Sequence, residues 1–119
     1  MACKIKEEND THPNAKNIEG TNLLKKIKST DYVVALVLNK KEYTSEELSV
    51  WLDKTMVKAK STITFIIGGS LGLSTEVIRR ANECLTLSKL TFTHQMTRII
   101  LLEQIYRAYK IMYHEQYHK

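Results

Sequence analysis

Four groups of residues in this 119-residue chain have types and spacings that suit chemistry. The first is the glycine-rich break GGSLG, residues 68–72, which follows an apolar run and precedes a basic stretch with helical spacing. Glycine permits positive φ and lets a ligand approach the main chain closely. The spacing matches neither a P-loop nor the G-x-G-x-x-G fingerprint, so it does not indicate a phosphate site. A tight structural turn and a ligand-contacting loop are both open interpretations.

The other three groups are polar side chains in the second half of the chain. His114 and His118 are four residues apart, as paired metal ligands on a helix are. No third ligand of suitable type is spaced to join them, so surface histidines are the favoured interpretation. His94, in FTHQMTR, precedes a predicted helix, where a structural contact and a site residue are both open. Glu103 and Arg107 have i,i+4 spacing and form either an exposed ion pair or a polar seam at an interface.

Composition indicates one folded globular domain. Hydrophobic residues make up 43% of the chain and charged residues 26%, which is an ordinary globular balance for a chain of this length. No apolar stretch approaches the roughly 18 residues of a membrane span, and the opening MACKIKEEND has no signal-peptide core. The expected location is therefore the cytoplasm, with no membrane association. Cys3 and Cys84 are expected to be free thiols.

The net charge of +5 is concentrated in the second half of the chain. Residues 60–119 contain eight Lys or Arg against four acidic residues, and three of the four histidines. This surplus favours an anionic partner such as RNA. A solvated basic surface that maintains solubility explains the charge by itself equally well.

Three apolar runs predict the strands of an α/β fold. DYVVALVL (31–38) and STITFIIGG (61–69) are typical of strands buried on both faces, and TLSKLTF (86–92) is a weaker third strand. A helical pattern follows each of them, and this order implies right-handed crossovers and a parallel sheet. Three strands make a thin sheet, whose missing cover could come from a second copy of the chain.

The helices between these runs have recognisable starts. Thr44 and Glu47 form a capping box before an amphipathic stretch, and Ser74 or Thr75 caps the next helix. The last and longest helix, about residues 95–112, is apolar almost all the way round. A helix on the outside of a monomer has a polar side, so this one is expected to lie between the sheet and something else.

The start of the chain is predicted to differ from the rest. Residues 1–20 are expected to form a polar N-terminal arm, because their apolar residues follow neither a helical nor a strand period and because they contain the only proline, Pro13. Residues 21–119 are expected to form the folded domain. Within it, TNLLKKIK (21–28) predicts a short helix.

The C-terminal part of the chain resembles a known family over long, ordered motifs. FIIGGSLGL, LTLSKLTFTHQMTRIILLEQIYRAYKI and the ending YHK are similar to RlmH-type methyltransferases of the SPOUT superfamily, over about Asp31 to Lys119. The resemblance implies methyl transfer from S-adenosylmethionine to N3 of a pseudouridine in 23S ribosomal RNA, with the ribosome as partner. It also implies a C-terminal trefoil knot, a rare exception among folds, and a homodimer packed through the C-terminal helix.

The resemblance further implies a cofactor pocket and a substrate side. Carried over position by position, the S-adenosylmethionine pocket comprises Leu36, Gly68, Leu87, Ser88, Lys89, Leu90, Thr91 and Phe92. The candidate catalytic residues are His118, Arg98 and His94. They would supply a base, or a positive charge that stabilises the deprotonated imide nitrogen.

The chain also departs from the family pattern. RlmH-type enzymes begin with a further strand-helix unit that this chain is expected to lack, so an N-terminally shortened sheet with an exposed edge is predicted. Val37 stands where the family often has an acidic residue, and Thr93 where a proline usually precedes the histidine. Two functions follow: an active ribosomal RNA methyltransferase, or a truncated noncatalytic remnant that binds RNA or cofactor, or dimerises, without turnover.

Overall fold

A computed structural model places four parallel strands at the centre of the fold. It describes residues 2–7, 22–59, 62–68 and 73–116. The strands are β1 (Ala2–Glu7), β2 (Tyr32–Leu36), β3 (Thr62–Ile67) and β4 (Glu83–Leu85). They lie in the order β1-β3-β2-β4, and every pairing is parallel. The predicted α/β fold with a parallel sheet is confirmed.

Within the described ranges, four helices connect and cover the strands. They are α1 (residues 22–26), α2 (Ser45–Lys58), α3 (Thr75–Arg80) and α4 (His94–Met112). The predicted capping box of α2 is present: Thr44 Oγ1 accepts from Glu47 N–H (3.1 Å), and Glu47 Oε1 accepts from Thr44 N–H (2.9 Å). Ser74 caps α3, and Thr93 caps α4. Among the described helices, none combines the length and hydropathy that a membrane crossing requires.

The sheet has a hydrophobic core on each face, because β2 and β3 are continuous apolar runs. One core joins the sheet to α2 and α4, and its members include Val34, Phe65, Leu52 and Leu101. The other joins the sheet to α1 and α3, and its members include Val33, Ile66, Leu23 and Val77. The helices are therefore divided into two layers, with the sheet between them.

The prediction of a polar arm over residues 1–20 is wrong for residues 2–7, which form the edge strand β1. This strand pairs with β3 along its whole length, so the sheet has four strands and not three. Cys3 and Ile5 pack against the α2/α4 core, whereas Lys4 between them is exposed. Alternation of this kind is expected of an edge strand with one solvated face. The rest of the predicted arm lies outside the described residues.

The strand predicted over residues 86–92 is also wrong. The fourth strand is the shorter β4, which pairs with β2 at three positions, and residues 86–92 are irregular. Leu85 is the last residue of this strand and is buried. The irregular segment therefore leaves the sheet at the same edge as the segment that follows β2.

Candidate functional site

A cavity of about 800 Å³ lies beyond the carboxyl ends of β2 and β3. In open α/β sheets ligands bind at this edge, in the crevice outside the strand ends. The cavity walls come from the ends of these strands, from Leu73 and Ile78, and from residues 87–97 except Lys89 and Met96. Sites for small organic ligands have volumes of about 300–1,000 Å³, so the size suits such a ligand.

The structure brings most of the residues predicted for the cofactor pocket together around this cavity. Seven of the eight line it: Leu36, Gly68, Leu87, Ser88, Leu90, Thr91 and Phe92. The eighth, Lys89, is exposed and does not line the cavity. Of the glycine-rich break, only Gly68 is described, and it directly follows the last residue of β3.

The backbone of residues 87–92 is a source of hydrogen-bond donors beside the cavity. Within the described part of the chain, the one hydrogen bond that this backbone donates runs from Leu90 N–H to Ser88 Oγ (3.0 Å). None of residues 87–92 is buried, so water or a ligand can pair with the other amides. Apolar side chains such as Leu87 and Phe92 line the same cavity. This combination suits a flat heterocycle with polar edges.

Thr86 fixes the irregular segment to the chain that follows β2. Its side chain is buried, and Oγ1 donates to Val37 O (2.8 Å) and accepts from Lys40 N–H (2.8 Å). Thr86 N–H donates to Lys41 O (2.9 Å), and Val37 N–H donates to Leu85 O (3.0 Å). These four bonds join two walls of the cavity. The sequence analysis missed Thr86, because it lay inside a predicted strand.

The three candidate catalytic residues differ in position. His94 begins α4 and lines the cavity, and its Nε2 atom is buried without a hydrogen-bond partner among the described residues. A buried nitrogen without a partner is destabilising unless a ligand or water satisfies it. Arg98, one turn further along α4, is exposed. His118 lies outside the described residues.

Several lining residues were not predicted as site residues. Thr93, Gln95 and Thr97 give the cavity a polar wall at the start of α4. Thr93 also fixes this end of the helix, because its side chain accepts a hydrogen bond from Met96 N–H (3.3 Å). The run of polar residues on both sides of His94 was the sequence signal for this wall.

The remaining polar groups from the sequence analysis lie away from the cavity. Arg107 Nη2 is 2.6 Å from Glu103 Oε1, so these residues form an i,i+4 ion pair. His114 follows α4 with a positive φ of 55°. In the described ranges, no group of three or more His, Cys, Asp or Glu is placed to hold a metal ion. Cys3 and Cys84 are free thiols.

The sequence is similar to known proteins along nearly its whole length. A family model described as "Predicted SPOUT methyltransferase" matches residues 2–118. A Bacillus cereus protein named ribosomal RNA large subunit methyltransferase H is 50% identical over 104 residues, which cover 87% of this chain and 65% of that protein. The Clostridium botulinum strain Hall protein of the same name is 50% identical over 117 residues, 98% of this chain and 71% of that protein. The Clostridium novyi protein is 55% identical over 104 residues, with the same coverage as the Bacillus protein. The chain therefore spans about two thirds of the length of these relatives.

Proposed function

We propose that this chain, which belongs to the SPOUT methyltransferase family, transfers a methyl group to the RNA of the large ribosomal subunit. The observation that carries the proposal is the cavity at the carboxyl ends of β2 and β3, which is lined by seven of the residues predicted for a methyl-donor pocket. The names of the relatives support ribosomal RNA as the substrate. The finer assignment, N3 of a pseudouridine in 23S ribosomal RNA, is part of the same proposal.

S-adenosylmethionine is the methyl donor that we propose for the cavity, where it would supply a methyl group bound to a sulfonium. The described residues fit this cofactor. Leu36, Leu87 and Phe92 offer apolar surface to an adenine ring, and the backbone of residues 87–92 offers donors to its edges and to the ribose. Gly68 lets the ligand approach the main chain closely. The cofactor has no phosphate, which agrees with the missing phosphate-binding fingerprints.

His94 is the residue that we propose to handle the acceptor's proton. An imide nitrogen must lose its proton to attack the methyl carbon, and a positioned base contributes about 10²–10⁴-fold to such a step. The buried Nε2 of His94 lies at the cavity wall without a partner in the described residues, so a substrate proton is a suitable partner. Arg98 and His118 are proposed to stabilise the resulting negative charge. The segment that Thr86 anchors would align the acceptor nitrogen, methyl carbon and sulfur.

A homodimer is part of the proposal, because one face of α4 is exposed within the described part of the chain. The inner face of this helix buries Leu101, Ile105 and Ala108. The outer face carries an exposed apolar stripe at helical spacing, consisting of Met96, Ile99, Leu102 and Tyr106. Contiguous apolar stripes on a protein surface commonly mark an interaction site. The trefoil knot stays a prediction from the resemblance, and the cytoplasmic location stays a prediction from the sequence pattern.

The test of the proposed function separates cofactor binding from turnover. Binding of S-adenosylmethionine is measured by calorimetry, and transfer of labelled methyl is measured on ribosomes that lack the modification. Gly68→Leu, which places a side chain in the cavity, is expected to abolish both signals. Val57→Ala is the matched control, because Val57 is 85% exposed on α2. Cofactor binding without transfer by the unaltered chain would identify a noncatalytic binding protein and contradict the proposal.

A further inference from the structure

We infer that α1 and α3 form a surface that binds the phosphate backbone of the RNA substrate, away from the methyl-transfer cavity. The inference rests on the proposed function and specifies its substrate class. The surface, called the basic surface below, consists of Lys25, Lys26, Lys28 and Arg79, all of which are exposed. Three of these four residues belong to the first half of the chain, although the charge distribution had drawn attention to the second half.

Charge on this face of the molecule is nearly all of one sign. Among the described residues, the acidic ones near the basic surface are Asp31 and Glu76. Asp31 is buried, and its Oδ2 accepts a hydrogen bond from Lys28 N–H (3.1 Å), so this carboxylate does not face solvent. Glu76 is exposed and lies three positions before Arg79 on α3, so it partly offsets the charge of that arginine. Grouped like charges produce a positive potential that attracts polyanions.

The other helices do not carry such a surface in the described residues. The charged side chains of α2 are of both signs, namely Glu46, Glu47, Asp53, Lys54 and Lys58. Two ion pairs lie at the end of α4: Arg107–Glu103 within the helix, and Lys110 with Glu115, which follows the helix, with N···O distances of 2.6 Å each. A cation that already pairs with a carboxylate attracts a phosphate less strongly, because the carboxylate offsets its charge. Of the described helices, α1 and α3 thus carry the charge that is best suited to an RNA backbone.

Arg80 holds the two segments of the basic surface together. Its Nη2 atom donates to Lys28 O and to Asp31 O, both at 3.0 Å, and Nη1 donates to Asn82 Oδ1 (3.2 Å). The segment after α1 is therefore fixed to the end of α3. Binding groups that are already ordered lose less conformational entropy when a ligand docks.

The lysines of the basic surface precede the start of β2, and the cavity lies beyond its end, whereas Arg79 directly follows the cavity-lining Ile78. Arg80 contacts the chain directly before β2, whereas the cavity begins at Leu36, the last residue of β2. Five extended residues span roughly 16 Å at about 3.3 Å per residue. A nucleoside in the cavity does not reach that far. The substrate class is therefore a folded RNA whose backbone contacts the basic surface while one nucleotide occupies the cavity.

The experiment compares two double variants that remove the same charge from opposite faces of the sheet. Lys25→Ala/Lys26→Ala alters the basic surface, and Lys54→Ala/Lys58→Ala is the matched control on α2. Binding to in vitro transcribed large-subunit ribosomal RNA is measured by filter binding from 0.05 to 0.3 M KCl. Each phosphate contact contributes about 0.7 decades to the RNA-binding constant at 0.1 M salt. Loss of two contacts therefore predicts about 25-fold weaker binding at 0.1 M salt, and a slope of log K against log[KCl] that is flatter by about 1.4. The control is expected to stay within about twofold of the unaltered chain.

The outcomes separate this inference from the proposed function. Equal losses in both double variants, or no loss in Lys25→Ala/Lys26→Ala, would overturn it, even if the unaltered chain transfers methyl groups. Weaker binding to polyglutamate with unchanged RNA binding would assign the surface to an acidic protein instead, and would also overturn it. If the unaltered chain neither binds RNA nor transfers methyl groups, both proposals fail. Arg79→Ala provides a second variant, and thermal unfolding of each variant verifies that it is folded.

Discussion

Replacing Thr86 with valine tests whether one buried hydroxyl positions the proposed cofactor loop. Valine keeps the shape of the side chain but removes the donor to Val37 O and the acceptor for Lys40 N–H. A hydrogen bond contributes about 1 kcal/mol net, and a buried group left unpaired costs about 1–3 kcal/mol. Thr86 is 3% exposed, so water has little access to replace the hydroxyl. We expect the free energy of unfolding to fall by about 2–3 kcal/mol.

The same substitution should weaken binding of S-adenosylmethionine. Without the hydroxyl, residues 87–92 are held less firmly against the end of β2 and must be ordered when the ligand binds. Ordering the backbone costs about 1–2 kcal/mol per residue. If one or two residues must be ordered again, the cost is about 2 kcal/mol, which corresponds to roughly 30-fold in Kd. Thr86 is thus expected to act as a positioning residue, since its contacts are with other residues of the protein.

Urea unfolding measures the stability change, and calorimetry measures the Kd for S-adenosylmethionine. Thr86→Ser is the matched control: serine keeps the hydroxyl and removes only a methyl group. We expect it to bind the cofactor within about threefold of the unaltered chain. A Thr86→Val variant with an unchanged Kd would refute the reasoning. So would a Thr86→Ser variant that is as weak as Thr86→Val.

Four further predictions concern other parts of the molecule. His94→Gln should lower kcat by about 10²–10⁴-fold in the methyl-transfer assay while the cofactor Kd changes little, and an unchanged kcat would exclude the proposed base. Leu102→Glu should produce a folded monomer in light scattering, because it places a charge on the apolar outer face of α4; a persistent dimer would contradict the proposed interface. Thr44→Ala should lower the free energy of unfolding by about 1 kcal/mol in urea, because it removes the α2 N-cap; Thr44→Ser should restore it. Burial, together with the hydrogen bond to Glu83, raises the pKa of Tyr32, so the folded state holds this proton more tightly than the unfolded state. The stability that this proton contributes is therefore fully present below pH 10 and is lost as the pH rises above 10. Tyr32→Phe should reduce that loss in urea unfolding between pH 9 and 11.

The elements that sequence reasoning found are those whose stability is encoded locally. β2 and β3 are continuous apolar runs, and the two reciprocal bonds of the α2 capping box join residues only three positions apart, Thr44 and Glu47. β1 was missed, because Lys4 and its polar neighbours conceal the alternation of Cys3 and Ile5. Its stability comes from pairing with β3, which lies about 60 residues away in the sequence. Local patterns carry no information about such a partner.

β4 was misplaced for a related reason. Three residues are too few to show a period, and its first residue is the charged Glu83. The position of this strand depends on distant partners: Tyr32 Oη donates to Glu83 Oε2 (2.5 Å), and Trp51 Nε1 donates to both carboxylate oxygens (3.1 and 3.2 Å). The residues of the proposed pocket were found because they belong to a recognisable motif. Thr86 was not, since its hydrogen-bond partners lie 46 and 49 residues earlier.

These distant contacts also explain how an irregular segment can hold a ligand. Residues 87–92 have no regular secondary structure, so their position is set at the point where they leave the sheet. Glu83, held by Tyr32 and Trp51, fixes the start of β4, and Thr86 fixes its exit. Bonds to a charged group contribute about 1.5–3 kcal/mol each, more than bonds between neutral groups. A short strand that polar side chains anchor at both ends positions the following backbone, whose amides, apart from that of Leu90, donate to no described residue. The proposed cofactor site requires this arrangement.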